Sequence, residues 1–212
     1  MRELQIPLQE NRNPWEVDFA IRIAEYLNDS DLRRRVVVIY DAPNTTSFRY
    51  RVYNVKQALD DTSILLCYFY RYELKSILPY LSYCSCLVLA RCQWTLDIQT
   101  LIDVAKALRI KVVYDVDDLI CSLNHLQLVT NTLNVDLDNE NAYSFWSACI
   151  GRGQMVATQC DGFIATNDFL GHRLSETFDN KQYWVIENSL NKEQLSISRA
   201  ICRQKRLWRA SN

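Results

Sequence analysis

Six short apolar runs punctuate this 212-residue chain: Val36–Tyr40 (VVVIY), Ser63–Phe69 (SILLCYF), Cys86–Ala90 (CLVLA), Lys111–Tyr114 (KVVY), Asp161–Ala165 (DGFIA) and Gln182–Ile186 (QYWVI). They are continuous and mostly β-branched or aromatic. Half-exposed strands alternate apolar and polar residues, whereas strands covered on both faces read as unbroken runs, as these do. Stretches with helical spacing separate them. The alternation predicts an α/β fold, a Rossmann-like parallel sheet with helices on both faces. The predicted organisation is an N-terminal helical appendage over 1–34, the sheet domain over 35–191, and a basic C-terminal helix or linker over 192–212.

Start and stop signals place the helices. Asn13 and Pro14 suit an N-cap and first helical position, Glu16 suits a capping box, and Trp15, Phe19, Ile23 and Leu27 follow at helical spacing, with Asp29–Asp31 as the stop. Val52, Val55, Ala58 and Leu59 form a second apolar face, and Leu74, Ile77, Leu78 and Leu81 a third. Thr95 caps a helix whose stripe is Leu101, Val104, Ala105 and Leu108. Asn131–Asn141 reads as a surface loop, and Ala142–Gln159 as a helix that Gly151 and Gly153 could interrupt. Thr166 caps a helix carrying Phe169, Leu170, Leu174 and Phe178. The last helix carries Leu195, Ile197, Ile201, Leu207 and Trp208 beside Arg199, Arg203, Lys205, Arg206 and Arg209.

Composition narrows the chemistry. A formal charge of −1 gives no pull toward nucleic acid. With only four Gly, there is neither a GxGxxG fingerprint nor a Walker A loop, which argues against ordinary dehydrogenases and P-loop enzymes. The eight Cys lie scattered, several within apolar runs, as reduced buried thiols do. Cys84, Cys86 and Cys92 lack the CxxC spacing of a zinc site. The N-terminus is polar and acidic, unlike a secretory leader, and no apolar run could span a bilayer. A cytoplasmic setting is expected.

In parallel sheets, ligands bind beyond the carboxyl ends of the strands. Polar residues gather after most of the runs. Arg49-Tyr50-Arg51 opens a helix, where two guanidinium groups oppose the dipole but could hold a phosphate or carboxylate; solvated surface charge is the other reading. Asp115, Asp117 and Asp118 close the KVVY run. Acids so spaced can hold Mg²⁺ or Mn²⁺, yet they also occur as helix-start acids, and a substrate-orienting or structural role is favoured over metal. Ser47, Asn167, Glu187 and Asn188 complete the candidate edge.

Four segments carry a resemblance: RVVVIYDAPNTTSFRYRVYN (Arg35–Asn54), KVVYDVDDLI (Lys111–Ile120), CDGFIATNDFLGHRL (Cys160–Leu174) and VIENSLN (Val185–Asn191). In this order the chain resembles the N-terminal, acceptor-side domain of a GT-B fold glycosyltransferase, in the glycogen-synthase-like retaining group (family 4-like). Glu187 and Ser189 stand where that group usually has Pro and Gly. The resemblance implies one half of a two-lobed enzyme. Its substrates would be a sugar or lipid-linked acceptor and a nucleotide-sugar co-substrate, with no metal or resident cofactor. The donor would bind a C-terminal half for which this chain has no room after Asn191, so the chain alone would be poorly active. Arg49 and Arg51 would orient the acceptor, the three aspartates would bond its hydroxyls, and Glu187 and Asn188 would complete the wall.

Two other readings stay open. One is a non-catalytic Rossmann-like module docking a partner protein or, through 192–212, the inner face of an anionic membrane. The other is a flavodoxin-like receptor using the hydroxyls of Thr45, Thr46 and Ser47.

Overall fold

A computed structural model describes residues 13–28, 33–41 and 47–210. The expected helix stop at Asp29–Asp31 and the hydroxyls of Thr45 and Thr46 lie outside the described residues. The elements run α1 (Phe19–Leu27), β1 (Arg34–Tyr40), α2 (Asn54–Leu59), β2 (Ile64–Tyr70), α3 (Leu74–Ile77), β3 (Cys86–Ala90), α4 (Leu96–Ala107), β4 (Lys111–Asp115), α5 (Leu126–Thr132), α6 (Glu140–Gln159), β5 (Gly162–Ala165), α7 (Asp168–Thr177), β6 (Gln182–Val185) and α8 (Lys192–Ala210). All six strands are parallel, in the order β2-β1-β3-β4-β5-β6. This is the α/β, Rossmann-like sheet that the apolar runs predict. The order reverses at β1, and the carboxyl ends of β1 and β3 are where sheets of this topology place their ligands.

Alternate strand residues feed two cores. Val37, Ile39, Leu65, Cys67, Phe69, Leu87, Leu89, Val112, Tyr114, Phe163 and Ala165 pack with α1, α3, α4, α6 and α7. On the other face Val38, Tyr40, Leu66, Tyr68, Tyr70, Val88 and Ala90 pack with Trp15, Phe48 and Val52. α1 therefore belongs to the main core, with Tyr26 buried in it.

Several local expectations shift. The helix predicted from Asn13-Pro14 begins at Phe19, because Trp15 enters the second core while Phe19, Ile23 and Leu27 serve the first. Asn13 still pairs with Glu16, across a turn (2.7 Å). Pro79 cannot donate to an α-helical ladder, so α3 is a short α segment flanked by 3₁₀ turns. Ala58 and Leu108 are exposed, and Ile98 and Ile102 carry the inward stripe of α4 with Leu101 and Ala105. The predicted loop at 131–141 shrinks between α5, which the weak pattern hid, and α6, which Asn139 caps. Gly151 and Gly153 do not interrupt α6; a Cβ on Gly153 would sit 3.3 Å from the Ile120 carbonyl, so the glycine lets the helix lie close to the segment after β4. In α7, Leu170, Leu174 and Phe178 turn inward, but Phe169 is exposed. A Cβ on Gly171 would lie 2.2 Å from the Tyr183 ring, so only glycine lets α7 approach β6 this closely.

Candidate functional site

β4 delivers Asp115 to the sheet face that carries α2. One π-helical turn, Arg49–Tyr53, brings Arg51 down to meet it. Arg51 donates from Nε to Asp115 Oδ1 (2.8 Å) and from Nη2 to Oδ2 (2.9 Å), a bidentate pair with both residues at most 3% exposed. Its Nη1 donates to the Ile186 carbonyl (2.5 Å) and to Asn188 Oδ1 (3.3 Å). Burial pushes the Asp115 carboxyl above its ordinary range, against the opposing pull of Arg51. The nearby Asn54 donates to the Ser189 carbonyl (2.6 Å) and Gln194 Oε1 (3.1 Å). Asn191 and Gln194 form a reciprocal cap at the start of α8, through Gln194 N to Asn191 Oδ1 (2.7 Å) and Asn191 N to Gln194 Oε1 (3.1 Å). The segment after β6 is thereby fastened to the start of α2. Arg51 and Asp115 hold the wall beneath the carboxyl ends of the strands and present no free polar edge to a ligand.

A second polar group at the carboxyl ends of the strands gathers around Arg91, which follows the last residue of β3. Its backbone is left-handed (φ 53°), uncommon for a residue with a side chain, and its N–H donates to the Asp115 carbonyl (2.9 Å). Arg91 Nη1 donates to Ser47 Oγ (3.1 Å), to Asp118 Oδ2 (3.3 Å) and, closely, to Asp117. Burial works against the guanidinium charge, but Asp117 and Asp118 outweigh it and hold Arg91 above its usual value. The Asp118 side chain is 62% exposed. Arg71 pairs with Asp41 at the neighbouring strand ends (2.5 Å).

The candidate residues thus divide. Ser47, Asp117 and Asp118 converge on Arg91. Arg51 and Asp115 pair beneath, with Asn188 touching Arg51. Arg49 lies over the Trp15 ring (5.0 Å), with its Nε buried and unbonded among the described residues. Tyr50 is half-buried, and Glu187 is exposed on the β6 side. Asn167 is a helix cap, accepting from Leu170 N (2.9 Å) in the role assigned to Thr166. Its Oδ1 is therefore committed to the backbone of α7 rather than to a ligand.

Neither family models, nor curated proteins, nor solved structures gave a match to this chain.

Arg91 is not among the residues that the sequence singles out. The one signal was its place directly after CLVLA, next to the strand where the sheet order reverses.

Among the described residues, no three His, Cys, Asp or Glu side chains are placed to hold a metal ion. The charge partner of Asp117 and Asp118 is Arg91. Cys84 and Cys92 are core thiols and Cys86 is half-buried: Cys84 donates to the Cys86 carbonyl and Cys92 to that of Ile39. Burial pushes Cys67, Cys84, Cys121 and Cys160 up to about 12, which leaves them as unreactive thiols at neutral pH.

Proposed function

We propose that this chain forms the acceptor side of a sugar-transfer site and acts with a donor-binding half, one lobe of a GT-B type glycosyltransferase. The observation that carries the reading is the Arg91 cluster at the carboxyl ends of β1 and β3. It interleaves donors (Arg91, Ser47) with acceptors (Asp117, Asp118). A polyol both donates and accepts through every hydroxyl and matches such a lining; a phosphate needs donors alone. The order of the four resembling segments supports the same reading. Arg91 orients the acceptor, Asp117 and Asp118 accept from its hydroxyls, and the Arg51–Asp115 pair keeps the wall rigid. Nothing in this lining needs an ion to bridge the acids.

The test is calorimetric titration of maltose and other neutral acceptor saccharides, and of nucleotide-sugars, into the chain alone and with a donor-binding domain added in trans. The chain alone should bind saccharide without turning it over. Arg91→Ala should weaken binding roughly 10- to 100-fold, the value of a lost hydrogen bond to a charged group. Turnover by the isolated chain would overturn the half-site reading, and saccharide binding indifferent to Arg91 would overturn the site.

A second reading draws on α8. Lys192, Arg199, Arg203, Lys205 and Arg206 are exposed along it, and Leu195 and Ile197 are each more than one-third exposed. No helix among the described residues is long and apolar enough to cross a membrane, but a basic amphipathic helix can lie on one. Flotation with phosphatidylserine-containing vesicles should then carry the full chain and leave a chain lacking 192–212 behind. Equal flotation would dismiss the membrane contact.

A further inference from the structure

We propose an outer acceptor subsite in which one neutral sugar ring stacks on Tyr72, beside the carboxylates of Glu16 and Asp18. This rests on the sugar-acceptor reading and adds a second point of contact to it. The site is a concavity of about 260 Å³ at the carboxyl end of β2, lined by Glu16, Asp18, Phe19, Arg22, Tyr70 and Tyr72. That is just under the span of drug-sized pockets, about 300–1,000 Å³, and suits a single ring.

Its floor is rigid. Arg22 reaches Glu73 through two nitrogens (3.0 and 2.6 Å) and donates to the carbonyls of Tyr68 (2.9 Å) and Val17 (2.9 Å). The same guanidinium lies against the Tyr70 ring (4.9 Å), and Tyr72 stacks on Tyr70 at 5.5 Å and 26°. Both groups touch the Tyr70 ring, and Tyr72 is 70% exposed. The open ring gives a flat amphipathic platform, and an apolar sugar face fits it.

The rim supplies acceptors. Asp18 stands at the N-cap of α1, yet its side chain makes no capping bond, which leaves the carboxylate available. Glu16 accepts one bond, from Asn13 (2.7 Å). Two carboxylates beside an aromatic ring could also suit a cation. However, Arg22 already lies against the rings of Phe19, Tyr68 and Tyr70, leaving one platform rather than the several faces of an aromatic cage. The concavity lies at the carboxyl end of β2, and Arg91 follows the carboxyl end of β3, two strands away in the same parallel sheet.

The experiment compares methyl glucoside with maltotriose by saturation-transfer NMR and calorimetry, on the full chain and on Tyr72→Ala, Tyr72→Phe, Asp18→Asn and Arg91→Ala, with choline as the cationic control. Tyr72→Ala should cut maltotriose affinity about tenfold and leave methyl glucoside unchanged, while Tyr72→Phe keeps it. Arg91→Ala should weaken both sugars. Because Tyr72 is exposed, unchanged melting of the variants checks that the fold is kept. Maltotriose binding that ignores Tyr72 and Asp18 but follows Arg91 would overturn the subsite and leave the acceptor reading standing. Tyr72-dependent binding of choline without saccharide would overturn the subsite in favour of a cation site. No saccharide binding at all would overturn both.

Discussion

Asp115→Ala should destabilise the fold by about 3–5 kcal/mol, because it leaves the Arg51 guanidinium buried without its counter-charge. Against the roughly 5–15 kcal/mol that holds a domain together, the variant will be marginal. Urea unfolding followed by circular dichroism measures the loss, and the melting point should fall by roughly 10 °C in a chain of this size. The double variant Arg51→Met/Asp115→Leu should recover much of it, since replacing both charges removes the unpaired one. A loss below about 1 kcal/mol for Asp115→Ala would mean that the pair behaves as a solvated surface bridge, which its burial contradicts. Saccharide binding should fall in Asp115→Ala only as far as the folded fraction falls, in contrast to Arg91→Ala, where the roughly 10- to 100-fold weakening exceeds any loss of folded chain.

Glu73→Ala should cost a similar amount, about 3–5 kcal/mol, but with a different signature. Glu73 neutralises Arg22 and also accepts from the Tyr70 backbone N–H (2.8 Å) at the end of β2. Burial disfavours the Arg22 charge, yet the bond and charge of Glu73 win and hold it above its usual value. Removing the carboxylate strands a cation and a backbone donor together. The double variant Arg22→Met/Glu73→Leu should therefore recover less than its counterpart at Arg51–Asp115, because it strands the Tyr70 N–H and the Tyr68 and Val17 carbonyls, against the Ile186 carbonyl and Asn188 at the other pair. Double-mutant cycles on both pairs give the two coupling energies directly. Equal recovery in both would show that the Tyr70 N–H finds another partner.

The two pairs also show what the sequence discloses. The strands and their parallel arrangement were legible because an unbroken apolar run has few other uses. Arg51 and Asp115 were legible as residues of interest, since each stands at the end of an element. Their mutual bond was not, because no local pattern relates residues 64 positions apart. Arg22 gave even less signal, as one basic residue on the polar side of a helical pattern. Trp15 misled for a related reason: its spacing fits the α1 stripe, but periodicity does not say which of two cores an aromatic will enter. Asn167 and Thr166 are adjacent and both cap well, and only the backbone turn selects between them.

The fastening of the post-β6 segment to the start of α2 bears on the order of assembly. Arg51, synthesised early, keeps an unfilled hydrogen-bonding fork until Ile186 and Asn188 arrive, about 135 residues later. Closing a loop that long delays the reward until much of the chain is in place, and folding rates fall as such distant contacts multiply. On the ribosome, β1, β2 and β3 can pair before β6 exists, but the wall that Arg51 holds cannot set until the last strand has emerged. The wall beneath the edge proposed to meet the acceptor is thus the last part of the sheet domain to complete its hydrogen bonds.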